Sequence, residues 1–252
     1  MRELQFNCGV APMYRLLLLS CLLLVSTSCY ATSPLSVTLC TERPWISASM
    51  LQRVEKLTGI TIAVQTAPWL RCVAELKGGR VDGVLHASFK ADRLEYSVYP
   101  MADDKVDVSK RMSTDTYHLY RLKGSKVDWD GKAFSNLNGR IGAQAGFSII
   151  DFLLSLGVQV DSGTDSAVTN LQKLELGRVA AVALQTREGD SLLKDDFSSI
   201  ERVDPALVEK PYYLVFSKQF FSDHADIAGK IWTGIARIRE ATENEKPTRN
   251  NR

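Results

Sequence analysis

The chain has 252 residues, 45% of them hydrophobic and 24% charged, with 16 Gly and 8 Pro. Such values belong to globular proteins and exclude disordered, collagen-like and coiled-coil organisation. The 31 basic and 29 acidic residues leave a formal charge of +2, too balanced for a nucleic-acid or polybasic membrane surface. The five cysteines are too few for a disulfide scaffold, and none sits in a C-x-x-C pair, so a structural zinc site has no support.

At the N-terminus, Arg15 precedes an apolar run at residues 16–25, interrupted only by Ser20 and Cys21. A run of about ten is too short for a bilayer, which needs about 20. The pattern predicts a secretory signal peptide over residues 1–31, cleaved after Ala31 under the small-x-small rule, and hence a periplasmic protein. Met13 is an alternative start. A lipoprotein acylated at Cys29 is the alternative reading, although Ser26 stands where a lipobox usually has Leu or Val. Processing removes Cys8, Cys21 and Cys29. Cys40 and Cys72 remain, and an even pair in an oxidising compartment reads as one disulfide. Two buried free thiols are the alternative. The bond closes a loop of about 33 residues, worth roughly 3–4 kcal/mol if chain entropy dominates.

Strand-like and helix-like runs then alternate. Residues 35–39 form a short β run, and Met50, Leu51, Val54 and Leu57 share one helical face. Gly59 stops that helix before a strand at residues 60–64. Residues 69–77 are helical, Gly78-Gly79 ends them, and residues 81–85 are a third strand. This β-α-β-α-β order is the signature of a parallel sheet covered by helices.

The order recurs at residues 140–143 (strand), 148–156 (helix), 158–160 (strand), 166–176 (helix) and 179–184 (strand). Ser148, with Asp151 three residues on, makes a capping-box-like helix start. Leu76-Lys77-Gly78-Gly79-Arg80-Val81 and Leu174-Glu175-Leu176-Gly177-Arg178-Val179 occupy the same place in the two copies. Two similar α/β lobes follow, each a mostly parallel sheet flanked by helices. Residues 103–126, rich in Asp, Lys, Ser and Thr, lie between them and hold a strand-like run at 117–120. Pro205 and Pro211 bracket a return into a strand at 212–216. A helix at 223–240 puts Ile227, Ile231, Ile235 and Ile238 in line. The tail at 241–252 is polar and reads as disordered.

Pro68-Trp69-Leu70-Arg71, Gly79-Arg80-Val81-Asp82-Gly83 and Ala87-Ser88-Phe89-Lys90-Ala91-Asp92-Arg93 resemble, in order and spacing, the bacterial extracellular solute-binding proteins of family 3. The resemblance spans residues 35–240. It implies a two-lobed periplasmic-binding-protein fold with two crossing strands as hinge. Lobe 1 would be residues 32–117 with 211–240 returning to it, and lobe 2 residues 118–210.

Ligands of open parallel sheets bind at the carboxyl ends of strands. That rule selects Glu42 and Trp45 after the first strand, and His86, Ser88 and Arg93 after the third. In the second lobe it selects Gln144, Phe147, Ser148 and Gln185. Arg93 matches the family arginine that grips a ligand carboxylate in a bidentate fork, and Ser88 the hydroxyl that shares it. A surface Arg93 paired with Asp92 or Glu95 is the bland alternative. Trp45 and Trp69 are stacking candidates or core residues. His86 is a ligand contact or a structural hydrogen-bond partner, and Glu42 a partner for a ligand cation or a solvated carboxylate. Gly146-Phe147-Ser148 opens a helix whose free N–H groups favour anions. Relatives that bind α-amino acids carry an acid near the position of Gln185. Its absence here argues against an α-ammonium, because a buried ammonium without a counterion is costly; Glu188 is the nearest substitute.

No nucleophile elbow, H-E-x-x-H, P-loop or dinucleotide fingerprint is present, and His86, His118 and His224 have no metal-ligand spacing. The expectation is a non-enzymatic, cofactor-free, monomeric protein that captures a small polar or anionic solute between two lobes and delivers it to an ABC permease. A partner of a membrane sensor, or a dehydratase-like enzyme using Glu42 and His86, are the alternatives.

Overall fold

A computed structural model of the chain describes residues 36–245. The expected signal peptide at residues 1–31, the expected cleavage after Ala31 and the alternative of acylation at Cys29 all fall outside the described residues. In chain order, β1 (Ser36–Thr41), α1 (Pro44–Thr58), β2 (Thr61–Thr66), α2 (Trp69–Lys77) and β3 (Gly83–Ser88) build the first half. A 3-10 turn, Ala91–Glu95, follows, then the short strands β4 (Ser97–Val98), β5 (Met101–Ala102) and β6 (Lys105–Val106). The long β7 (Ser113–Leu122) leads through β8 (Asp128–Trp129) and β9 (Phe134–Ser135) to the second half. That half contains β10 (Ile141–Gln144), α3 (Ile149–Ser155), β11 (Val160–Thr164), α4 (Ala167–Glu175), β12 (Ala181–Gln185) and α5 (Thr186–Asp195). The chain closes with β13 (Ile200–Ser217) and α6 (Lys218–Glu245).

The main sheet runs β11-β10-β12-β7-β13-β3-β1-β2, with β4 paired to β13. In each half the first strand lies between the other two, all parallel: β2-β1-β3 and β11-β10-β12. The antiparallel β7 and β13 join the halves, β7 on β12 and β13 on β3. The shared hexapeptides are equivalent in detail. Gly79 and Gly177 both take positive φ (67° and 65°), which glycine adopts without a Cβ penalty. The N–H groups of Arg80 and Arg178 close the two turns onto the carbonyls of Glu75 and Lys173. Val81 and Val179 then enter the core.

In the first half, Val37, Leu39, Leu51 and Val54 pack against Phe216, Ile231, Ile235 and Ile238, so α6 returns to cover β1 and α1. In the second half, Ile141, Ile149, Leu153 and Ala181 form one cluster, and Leu171, Val182 and Leu184 another. Cys40 and Cys72 are disulfide-bonded, with Cα atoms 5.4 Å apart. The bond ties the end of β1 to α2.

Four readings are corrected. The last strand spans residues 200–217 instead of 212–216, because it pairs along nearly all of β7 and merely slips register between Val203 and Val208, around Pro205. The tail is helical as far as Glu245, since Thr242 accepts from Arg53 while Glu243 pairs with Arg111 and Arg239. Ser148 stands at the start of α3 without capping it; its hydroxyl is bonded elsewhere. Leu57, placed on the buried face of α1, is 46% exposed because the contact stripe runs through Ser47, Leu51 and Val54.

Candidate functional site

A cavity of about 700 Å³, counted out to its mouth, lies between the halves at the carboxyl ends of their parallel strands. Thr41, Glu42 and Arg43 reach it after β1, and His86 and Ser88 at the end of β3. Ser113, Asp115 and Tyr117 line it because alternate residues of β7 share one face. Phe147 and Ser148 close it after β10, Gln185 and Arg187 after β12, and Tyr212 from β13.

One end is cationic. Arg93, held by the 3-10 turn, is 4% exposed. It donates from Nη1 to the Ser88 carbonyl at 2.6 Å and from Nη2 to the Gly146 carbonyl at 3.0 Å. Its guanidinium lies 4.8 Å from the Trp69 ring centroid, a cation–π contact. Trp69 Nε1 donates to the same Gly146 carbonyl at 3.3 Å, and Phe147 meets Trp69 edge-on at 6.3 Å. The Ser88 and Ser148 hydroxyls are 2.7 Å apart across the cleft. Lys210, from β13, donates to the Ser148 carbonyl at 2.9 Å and to its hydroxyl at 3.0 Å. Burial pulls the Lys210 ammonium below the usual lysine range, with Asp151 opposing and Arg93 and Lys90 adding to the shift.

The other end has mixed charge. Arg43 donates to Gln185 Oε1 at 2.7 Å and lies 3.5 Å from Glu188. Burial raises the carboxyls of Glu42, Asp115 and Glu188 above their usual range, with Arg43 opposing in each case. His86 sits in the left-handed region at φ 60°. There β3 spends one residue more than β13 between the pairs Ala87–Tyr213 and Val84–Val215. Such a bulge re-aims side chains beside binding sites, and a non-glycine residue held there stores strain. Its Nε2 is enclosed and has no hydrogen-bond partner among the described residues. Burial, then Arg43 and Arg187, lower its pKa to about 4, so the ring is neutral at pH 7.

Of the residues selected from sequence, Glu42, Trp69, His86, Ser88, Arg93, Phe147, Ser148 and Gln185 line the cavity. Arg93 is buried and bonded to carbonyls, not paired with Asp92 or Glu95 on the surface. Trp45 and Gln144 are not in the lining. Trp45 falls in the first turn of α1 on its outer face and is 71% exposed, while Ile46 beside it turns inward. Gln144 is buried behind the wall, its amide tied to the Asp165 carbonyl at 3.1 Å. Arg43, Arg187, Asp115, Tyr117, Tyr212 and Lys210 were missed. For Asp115 and Tyr117 the signal was present, as the Ser113-x-Asp115-x-Tyr117 alternation of a strand between lobes. Among the described residues no cluster of His, Cys, Asp and Glu has metal-site geometry, and no helix is long and apolar enough to cross a membrane.

No family model matches the chain, and no curated protein matches it by sequence. Solved structures do match. A histidine kinase sensor domain with similarity to periplasmic binding proteins superposes with a TM-score of 0.68 at 12% identity, over 83% of this chain and 92% of that one. The arginine-, lysine-, histidine-binding protein ArtJ of Geobacillus stearothermophilus gives 0.65 at 14% identity, over 86% and 97%. The substrate-binding protein of an amino acid ABC transporter gives 0.62 at 12% identity, over 82% and 95%. These likenesses define the class of fold. The chain has the two-lobed architecture of periplasmic binding proteins.

Proposed function

We propose that the protein is a periplasmic solute-binding protein that captures a small anionic solute between its lobes and delivers it to an ABC permease. The reading rests on one observation above the others. Arg93 is a buried cation whose hydrogen bonds go only to carbonyls, at the wall of a cavity where the two halves meet. A buried charge without a counter-charge is costly, and a bound carboxylate supplies that charge in bidentate form. Ser88 shares the carboxylate, His86 and Glu42 meet the far end of the solute, and Trp69 and Phe147 pack against it. Among the described residues, lobe 1 comprises residues up to 117 with 211–240 and lobe 2 residues 118–210, with β7 and β13 as hinge. Closure transmits binding because the closed state alone gathers contacts from both lobes. The likeness to a kinase sensor domain favours, as a second reading, the same capture serving a membrane sensor.

A thermal-shift screen over carboxylates, amino acids, amines and short peptides tests this, since a bound solute raises apparent stability by mass action. The expected hits are anionic solutes, recovered unchanged after incubation. Hits confined to neutral or cationic compounds overturn the reading, and conversion of a hit to product makes the protein an enzyme.

A further inference from the structure

We infer that Lys210 is a positioning residue that fixes the polarity of the Ser148–Ser88 hydroxyl pair and so makes the anion seat select carboxylates over carboxamides. The inference rests on the solute-binding reading above and concerns the same cavity. Two cations, Arg93 and Lys210, converge on this corner, one at the Ser88 carbonyl and the other at Ser148. Neither forms an ion pair among the described residues, while Lys90 beside them is already matched to Asp92 and Asp151.

The direction of the hydrogen bonds follows from what each group is able to do. An ammonium has donors only, whereas a hydroxyl has one donor and two acceptor sites. Ser148 Oγ therefore accepts from Lys210 at 3.0 Å and keeps its own proton to donate. Its neighbour at 2.7 Å is Ser88 Oγ. If Ser148 donates to Ser88, the three dipoles align, ammonium to Ser148 to Ser88, and each bond strengthens the next. The reverse order would have Ser148 Oγ accept from both Lys210 and Ser88, so that the dipoles no longer run head to tail. The aligned chain leaves the Ser88 proton for the cavity beside Arg93. A carboxylate oxygen accepts from both. A carboxamide that turns its NH₂ toward Arg93 meets only N–H groups and finds no acceptor there, which leaves a buried polar group unpaired. A site built this way rejects the mismatched analogue strongly.

The experiment titrates the full exported protein with succinate, glutarate, benzoate and propionate, each beside its monoamide or amide, by calorimetry. The wild type is expected to bind at least one carboxylate ten-fold or more tightly than its amide. Lys210→Met is expected to lose most of that ratio, with Lys210→Arg restoring part of it and Ser148→Ala behaving like Lys210→Met. Wild-type preference for a carboxylate that survives unchanged in folded Lys210→Met overturns the role of Lys210 and leaves the anion seat standing. Equal binding of carboxylate and amide by the wild type, or no binding of any carboxylate, overturns the anion seat itself.

Discussion

Gln185 Oε1 accepts from Arg43 Nη2 at 2.7 Å, and Gln185 Nε2 donates to the Tyr212 hydroxyl, also at 2.7 Å. Arg43 begins α1 in the first half, Gln185 ends β12 in the second, and Tyr212 lies on the strand that joins them. The absence of an acid at residue 185 argued, from sequence, against a ligand ammonium. In the structure the same amide links the halves through protein partners. Gln185→Leu keeps the volume and removes both bonds. The Arg43 bond, to a charged group, contributes about 1.5–3 kcal/mol and the neutral Tyr212 bond about 0.5–1.5 kcal/mol, so the closed population is expected to fall about ten-fold or more. Fluorescence transfer between one label on each half reads this directly, and an unchanged distance distribution sinks the idea.

Arg93 separates binding from stability. Both carbonyls it serves keep another donor without it: the Ser88 carbonyl also accepts from Tyr99 at 2.7 Å, and the Gly146 carbonyl from Trp69 at 3.3 Å. Arg93→Met therefore leaves no backbone acceptor orphaned. The variant is expected to lose less than about 2 kcal/mol in denaturant unfolding. Affinity for an anionic hit is expected to fall about 30-fold or more, because a buried charge-assisted contact is worth about 2–5 kcal/mol. Collapse of stability together with binding would make Arg93 a structural residue.

The parts legible in the sequence were those governed by local periodicity. The α2 boundaries, the order of strands in both halves and the paired hexapeptides follow from hydrophobic spacing and glycine placement, which a short window carries. The carboxyl-end rule then reached Arg93, Ser88 and His86. It failed at Trp45 because helical rotation decides which of two adjacent residues faces the cleft, and Ile46 does. Lys210 and Tyr212 were hidden for a different reason. They lie on a crossing strand about 60 residues from Ser148, and only the pairing of β13 with β7 and β3 brings them there. The α5 helix was also missed, its apolar positions being too few to stand out. Ser148 shows a local rule losing to a tertiary one. A capping role suits its sequence, yet its hydroxyl is held by Lys210 and Ser88.

His86 carries a pH dependence of definite sign. Its pKa falls from 6.5 to about 4 on folding, so the unfolded chain binds more protons in between. The contribution is complete above about pH 6.5 and is lost as pH drops toward 4, worth about 3 kcal/mol at about 1.4 kcal/mol per pH unit. The raised carboxyls of Glu42, Asp115 and Glu188 act in the opposite sense near their own pKa values, so the wild-type curve alone is ambiguous. His86→Asn resolves it, because asparagine tolerates positive φ and does not titrate. Unfolding free energy is expected to fall more steeply for the wild type than for the variant across that window. Parallel curves would show that His86 is not desolvated in the folded protein.

Gly146 lies where the halves meet, against Leu70 and Trp69. Its φ is 76°, and a Cβ there would lie 2.5 Å from Leu70 Cδ2 and 3.3 Å from the Trp69 ring. Both neighbours belong to α2, across the cleft, whereas Gly146 follows β10. An added methyl thus meets the other half of the molecule rather than its own core, and it is relieved if the exposed Leu70 side chain turns away or if the halves separate. Gly146→Ala also pays for positive φ, roughly 1–2 kcal/mol. Separation would lengthen the Trp69–Gly146 and Arg93–Gly146 bonds together, since one carbonyl accepts both. The variant is expected to remain folded, with a larger radius of gyration by small-angle scattering and at least ten-fold weaker binding of any anionic hit. Gly146→Ala in a Leu70→Ala background removes the nearest obstacle and is expected to recover part of the closure. A single variant as compact as the wild type, or a double variant no more compact than the single one, would mean that Leu70 does not set the approach of the halves.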